Sequence, residues 1–369
     1  MKTVTICNER IKKILPDTTL YELELCGDKI SLGLIDVDSS NLEDILLKEK
    51  EVYVLIKAFS CNYRDKTLML SFNQICKEMS NSQKNFYSPF GSEFVATVIK
   101  VGSKVKSVVL GDRVIPNGVY PYREGSKIGG VPSNYASQRM QIFEESQLIK
   151  IPKLMSNEVA AGFTIASQTA YSMIRKLDIQ GGENILVTAA TSNTSLAIIS
   201  ALRYKNVNIY VVTSSLEFKA QLFEMGVNAI IPYDTVVKNE VKSQIGNLGF
   251  DIVIDPFFDI YFNYMVSYMN FNGKYIYCGL YLQNKAFSIL TNENSNYVDS
   301  MTCCVLKNIT IIGNCLGDTD DLLEAINDFT EHRYNVLIDS VYKNGDVIPF
   351  VEKTFHQTHR LGKIIYCYD

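Results

Sequence analysis

Two hydrophobic patterns divide the chain. Over residues 1–150 the apolar positions come in short alternating runs, such as "EVYVLIKAFS" (51–60), "SEFVATVIKVG" (92–102) and "DRVIP" (112–116). Gly102-Ser103, Gly111-Asp112 and Asn117-Gly118 part them. Alternation broken by turn pairs predicts antiparallel strands, closer to a distorted barrel than to a βαβ array. From about residue 155 the period changes. "SNEVAAGFTIASQTAYSMIRKL" (156–177) has helical spacing, with Ser156 placed to cap it and Glu158 in its first turn. Beyond it "NILVTA", "NIYVVTS", "AIIPY", "DIVIDP" and "KYIYCG" are near-continuous apolar runs, separated by helical stretches that include 194–204 and 216–225. Such runs predict a parallel sheet covered on both faces, and right-handed crossovers make it doubly wound. The last helix, in "DTDDLLEAINDFTEHR", and the last strand, in "GKIIYCYD", bury too little to stand alone. They are expected to pair back with the N-terminal half.

A chain of 369 residues is long for one core and points to two domains. A formal charge of −4 without a basic stripe argues against a nucleic-acid partner. No run reaches the roughly 18–20 apolar residues of a membrane span. The opening "MKTVTICNERIKKILPD" has no continuous apolar segment to act as a secretory signal, so a cytoplasmic protein is expected. Nine scattered cysteines without C-x-x-C spacing fit reduced thiols. The three histidines, His332, His356 and His359, all lie near the C-terminus and read as surface residues. A Ser–His–Asp hydrolase would need one of them near a nucleophile, and no G-x-S-x-G is present, which argues against that class.

"NILVTAATSNTSLAIISALR" (184–203) reads as strand, sharp turn and helix, the place where a dinucleotide site keeps its glycine-rich loop. Ala189 through Leu196 contain no glycine. A pyrophosphate can still rest on a helix N-terminus, where free N–H groups and the dipole favour an anion. Ala190, Thr191, Ser192, Asn193 and Thr194 are therefore the candidate phosphate-binding residues. Asn193 is the best non-glycine choice for a left-handed turn position. Side chains at Ser192 and Ser195 are expected to push the cofactor outward.

Eight stretches, in order, resemble the medium-chain dehydrogenase/reductase superfamily. They are "NYRD" (62–65), "FGSEFVATVIKVGSKVKSVVLGDRV" (90–114), "TAY" (169–171), "GGENILVTAA" (181–190), "KAQLFEMGVNAIIPY" (219–233), "DIVIDP" (251–256), "GKYIYCGL" (273–280) and "GKIIY" (362–366). The resemblance implies a GroES-like, β-rich catalytic domain (1–157 and 315–369) enclosing a Rossmann domain with a doubly wound parallel sheet (158–314). It also implies a homodimer. In an NAD site an acidic residue about 20 positions after the loop binds the ribose. Here the second strand ends in Thr213, Ser214 and Ser215, with Lys219 following and no carboxylate. Hydroxyls and an ammonium suit the 2′-phosphate of NADPH; alternatively Lys219 is a solvated helix residue and Ser214-Ser215 a cap. Tyr233 matches a tyrosine that similar NADPH-linked quinone reductases place against the adenosine phosphate.

Zinc-dependent relatives bind the metal at positions that match Asn62, Ser92 and Ile165, and none of these is a good zinc ligand. Cys61 is one residue out of register, and the four-cysteine lobe is missing. No metal is therefore expected, which favours the zinc-free branch. That branch reduces carbon–carbon double bonds conjugated to an electron-withdrawing group. "SCNYRD" resembles the enoyl-reductase version of the nicotinamide pocket. Tyr63 is the candidate proton donor or enolate stabiliser, or else an aromatic wall; Asn62 is the candidate donor to a carbonyl, or else a turn cap. Arg64 and Asp65 read as a structural ion pair. Thr169 matches a cofactor contact, and Cys278, Gly279 and Leu280 match backbone that meets the carboxamide. The loop and "YPYREGSKIGGVPSNYAS" (120–137) are similar to dehydroalanine reductases of lanthipeptide biosynthesis, which turn dehydroalanine in a precursor peptide into D-alanine. The competing expectations are a small-molecule quinone, enal or enoyl reductase, and a cofactor-binding protein without turnover.

Overall fold

The computed structural model describes residues 1–36, 44–78, 87–121, 130–281, 297–357 and 359–368. These fall into two compact units. The first takes the described residues of 1–118, 129–165 and 338–369, the second those of 119–128 and 166–337.

The first unit is β-rich and largely antiparallel. The Glu51–Ser60 strand lies at its centre, with the run expected from its alternation. One flank pairs with Glu93–Val101; the other pairs with Met140–Glu144 along its first half and Lys363–Cys367 along its second. Arg113–Pro116 and Leu148–Lys150 extend this seven-stranded sheet on one side and Ile338–Tyr342 on the other. A second, four-stranded sheet contains Lys2–Cys7, Thr19–Leu25, Asp28–Asp36 and Tyr87–Ser88. The cores join around Phe59, which is fully buried among Phe90, Phe350, Tyr366 and Tyr368.

The second unit carries six parallel strands in the order Ala229–Pro232, Asn208–Thr213, Asn184–Val187, Phe250–Asp255, Met269–Tyr277 and Thr310–Gly313. Counted along the chain this is 3-2-1-4-5-6, the doubly wound order whose switch point lies between the first and fourth strands. Ile185, Leu186, Val211, Val212, Val253 and Ile254 are buried, as a sheet covered on both faces requires.

Two expectations about organisation change. The units divide at 165/166 and 337/338 rather than at 157/158 and 314/315. The Thr319–Thr330 helix belongs to the second unit because Arg175 grips its first turn through Asp321 (2.7 and 2.8 Å) and Tyr171 bonds Asp328 at its far end (2.8 Å). Only the final strand pairs back with the N-terminal half as expected. The single helix read over 156–177 is two, Asn157–Ala161 and Thr164–Leu177, broken at Gly162. A β carbon on Gly162 would stand 2.9 Å from Cγ of Lys363, so this position has no room for a side chain.

Candidate active-site cluster and cofactor loop

In the first unit the residues of "CNYRD" close a buried polar cluster. Asn62 immediately precedes the Tyr63–Glu78 helix, and its backbone N–H donates to Asp65 Oδ2 (2.7 Å). Ser92 Oγ donates to the same oxygen at 2.6 Å. Asn62 Nδ2 donates to Ser92 Oγ (3.2 Å) and Glu93 Oε1 (3.0 Å), while Ser60 Oγ donates to Glu93 Oε1 at 2.8 Å. The other oxygen of Glu93 accepts the backbone N–H of Ile165 at 3.0 Å. Lys363 completes the set: its ammonium donates to Asn62 Oδ1 at 2.7 Å and pairs with Glu93. Glu93 and Asp65 are wholly buried and Lys363 is 1% exposed.

This arrangement revises the expectation for Asn62. Its amide nitrogen, its amide oxygen and its backbone N–H all serve the cluster, so it organises the site instead of donating to a substrate. Tyr63 opens the helix and is half-buried. Arg64 and Asp65 do approach as an ion pair at 3.7 Å, and Arg64 also bonds Asn134. Burial pushes the Asp65 carboxyl up to about 6, against the hydrogen bonds from Ser92 and Asn62 that pull it down. Asp65 Oδ1 is buried without a hydrogen bond. Cys61 is buried and its thiol is driven far above its usual range.

The three positions matched to zinc ligands thus present an amide, a hydroxyl and an aliphatic chain, with an ammonium among them. Among the described residues no three His, Cys, Asp or Glu side chains are grouped to hold a metal. This donor set does not fit zinc, which takes thiolate, imidazole or carboxylate. Sequence reasoning missed Lys363. Its one signal is a charge at the head of an otherwise apolar strand, "KIIYC".

In the second unit the glycine-free loop follows Asn184–Val187. The left-handed residue is Ala189 (φ 46°), not Asn193, which is the first residue of the Asn193–Leu202 helix. Ala189 holds that strained conformation because bonds fix the turn around it: the Ala190 N–H donates to Val212 O at 2.9 Å and the Ser192 N–H donates to Ala189 O at 2.8 Å. Ala190 is therefore not a phosphate donor. Ser192 is the N-cap: its hydroxyl accepts Ser195 N–H (3.2 Å) and donates to Ser195 Oγ (3.0 Å). Ser195 in turn bonds Thr188 O at 2.7 Å and faces inward, fully buried. The N–H groups of Thr191, Asn193 and Thr194 take no acceptor among the described residues. They, with the half-exposed side chains of the same three residues, are what the loop offers an anion.

Beneath the loop lies Asp255, fully buried at the carboxyl end of its strand. Thr188 Oγ1 (2.6 Å) and Phe257 N–H (2.8 Å) donate to one oxygen and Tyr275 Oη (2.5 Å) to the other. Burial raises its carboxyl from 3.8 to about 6 in spite of these bonds. Between those two pH values the folded chain holds a proton that the unfolded chain has lost. Stability therefore falls as pH rises through the window, and the cost is complete above it. Asp255→Asn keeps the two acceptor bonds and offers Nδ2 to Tyr275. It is expected to gain up to about 3 kcal/mol over the parent on going from pH 4 to pH 7, read by urea melts at both pH values.

The remaining cofactor candidates divide. Thr213 is buried and its hydroxyl is spent on Ser215, donating to its carbonyl and accepting its N–H, so it shapes the turn and is withdrawn as a phosphate ligand. Ser214 and Lys219 are exposed, and Ser215 caps Glu217 N–H. Tyr233 begins the helix after Ala229–Pro232 and packs edge-on to Tyr261. Thr169 is buried on the Thr164–Leu177 helix. Cys278, Gly279 and Leu280 line a 370 Å³ cavity with Tyr277, Gly313 and Asn314. Gly279 is required there, since a β carbon would lie 2.7 Å from Pro256 O. Burial lifts the Cys278 thiol to about 12, which leaves it a poor nucleophile.

Comparisons with known proteins agree with both units. Residues 48–153 match the alcohol dehydrogenase GroES-like domain, and residues 194–341 match the zinc-binding dehydrogenase family. A quinone oxidoreductase-like protein 2 homolog of Nematostella vectensis is 29% identical over 70% of this chain and 65% of its own length. The highly reducing polyketide synthase valA of Aspergillus terreus is 25% identical over 87% of this chain but 12% of its own length. The chain thus spans less than two thirds of either curated relative. Among solved structures, an NAD-dependent alcohol dehydrogenase superposes with a TM-score of 0.75 at 17% identity, covering 100% of this chain and 99% of that one. A crotonyl-CoA carboxylase/reductase gives 0.73 at 17%, covering 99% and 88%. At such identities these two speak for the fold alone.

Proposed function

The chain belongs to the medium-chain dehydrogenase/reductase superfamily, and from that premise we propose that it is an NADPH-dependent, zinc-independent reductase of a carbon–carbon double bond conjugated to a carbonyl. The observation that carries this reading is the donor set around Glu93: Asn62, Ser92 and Ile165 with a lysine ammonium, in place of metal-binding side chains. A metal Lewis acid is what holds the alkoxide in zinc-dependent alcohol oxidation, so its missing ligands count against that reaction, whereas an activated alkene accepts a hydride without one.

Reduced nicotinamide, when bound, supplies the hydride that adds to the β carbon. Tyr63 would then donate a proton at the α carbon. The free N–H groups of Thr191, Asn193 and Thr194 would carry the pyrophosphate. The absence of a carboxylate after Asn208–Thr213, with Ser214, Ser215 and Lys219 following, supports the 2′-phosphate and hence NADPH. Tyr233 would flank the same phosphate, Thr169 would contact the cofactor, and Cys278, Gly279 and Leu280 would meet its carboxamide.

A small enal or quinone is the first substrate class to try, in line with the quinone oxidoreductase-like relative. Dehydroalanine in a lanthipeptide precursor is the second. The stretch behind that narrower reading, 120–137, lies partly outside the described residues, at 122–129. The purified chain is incubated with NADPH or NADH and with crotonaldehyde, benzoquinone or a dehydroalanine peptide. The expected result is NADPH oxidation and a product heavier by two hydrogens. Oxidation with none of the three would leave a cofactor-binding protein without turnover.

We also propose a homodimer. The Tyr297–Lys307 helix exposes Val305 (77%) and Leu306 (70%), and Thr310–Gly313 is the end strand of its sheet among the described residues. Exposed apolar side chains and open strand edges are the surfaces that association covers. A Val305→Asp, Leu306→Asp double variant is expected to run as a monomer by light scattering where the parent runs as a dimer. No helix of the described residues is long and apolar enough to cross a membrane.

A further inference from the structure

Among the described residues Lys363 is the buried cation of the first unit's cluster, Arg64 meeting Asp65 from the exposed side, and nothing in its strand calls for a charge. Its neighbours Ile364, Ile365 and Tyr366 are apolar and buried, as a central strand requires. The register explains how it reaches the cluster. Ile365 lies opposite Ser60 and Tyr366 opposite Phe59. Lys363, two residues before Ile365 and on its face, therefore extends just beyond the end of the Glu51–Ser60 strand, where Asn62 stands. Gly162 leaves the space its stem needs: an added β carbon would meet Lys363 Cγ at 2.9 Å and Cβ at 3.1 Å.

We propose that the Lys363 ammonium is a built-in cation that takes the place given to a metal in zinc-dependent relatives and, through Asn62, positions the start of the helix that carries Tyr63. Each position matched to a zinc ligand ties into the Lys363–Glu93 pair. Asn62 bonds both partners, Ser92 is held by Asn62 Nδ2, and the Ile165 backbone holds the second oxygen of Glu93. Both oxygens of Glu93 are engaged within the protein: Oε1 takes Lys363, Ser60 and Asn62, and Oε2 takes Ile165. A protonated amine offers no lone pair and repels a dication. Without it, two carboxylates, Glu93 and Asp65, would lie buried in one cluster, and removing one partner of a buried pair is strongly destabilising.

The positioning half of this proposal rests on the reductase reading; the charge half does not. The full-length parent, Lys363→Ala, and the charge-neutral pair Lys363→Met with Glu93→Gln are loaded with zinc, dialysed, analysed for metal and melted. The parent is expected to retain only substoichiometric zinc. Lys363→Ala is expected to melt about 5 °C or more below the parent. Ethylammonium should recover part of that loss, and tetramethylammonium, which carries the charge without an N–H, should not. The neutral pair removes the Glu93 charge together with its partner and leaves Asp65 facing Arg64 as in the parent, so it should fold even where Lys363→Ala does not. It should reduce the alkene at least about tenfold slower, with KM for the cofactor unchanged. Stoichiometric zinc in the parent, a Lys363→Ala melt equal to the parent's, repair by both amines alike, or a neutral pair at parental kcat would each overturn the proposal. A parent that reduces no alkene yet shows the zinc and amine results sinks the reductase reading and leaves the cation in place.

Discussion

Tyr63→Phe is expected to lower kcat for alkene reduction by about a hundredfold or more, the usual contribution of a positioned general acid. The substitution keeps the ring and removes only the hydroxyl, so packing at the start of the Tyr63–Glu78 helix is preserved. KM for NADPH should stay within about a factor of two, because the loss falls on the proton-transfer step and not on binding. Turnover in heavy water gives an independent reading. The parent should place deuterium on one face of the α carbon, and the variant, protonated by solvent, should label both faces. A variant with parental rate and facial selectivity would make Tyr63 an aromatic wall and remove it from the chemistry. The selectivity is the more discriminating of the two measurements, because it reports which group delivers the proton.

The second large effect is on stability. Phe59→Ala is expected to cost about 3–5 kcal/mol of unfolding free energy, the range for a fully buried phenylalanine truncated to alanine. Phe59 is 0% exposed, with ring centroids of Phe90, Phe350, Tyr366 and Tyr368 at 5.9, 5.3, 5.5 and 5.7 Å. Those rings come from well-separated segments of the chain, all in the first unit. Their backbones are tied down: Tyr366 lies in a sheet pairing, and Phe90 donates its N–H to Ser137 Oγ at 2.9 Å. The site is therefore slow to collapse around a cavity. Urea melts followed by circular dichroism would test this. A loss under about 1 kcal/mol would mean that the neighbouring rings close the gap.

Much of this could be read in advance where the cause is local. The Glu51–Ser60 strand follows from alternation, and Ser156 accepts the Val159 N–H at 3.2 Å as its position before a helical run predicts. Five of the six parallel strands follow from near-continuous hydrophobic runs joined by helices; the sixth, Thr310–Gly313, and the strand order come from the structure. The loop was legible in outline only. Residue preference favours asparagine for a left-handed turn, yet the chain puts Ala189 there. Two backbone bonds of the turn, Ala190 N–H to Val212 O and Ser192 N–H to Ala189 O, hold it there against a left-handed cost of about 1–2 kcal/mol. Thr213 failed as a ligand for a related reason: its hydroxyl found Ser215 two residues away.

The sequence by itself determined two domains, a β-rich half and a doubly wound half, and a glycine-free turn at the head of the first parallel strand. Periodicity, turn pairs and caps act over a few residues, so each is written where it operates. Only the tertiary structure decided which side chains meet. Lys363 reaches Asn62 and Glu93 across 301 and 270 residues because the Lys363–Cys367 strand pairs with Glu51–Ser60 in one register, and Gly162 leaves room for it. A one-residue slip would turn the ammonium to the opposite face of the sheet. That dependence on register is why a lysine in an apolar strand looks like any other charge until the strand is paired.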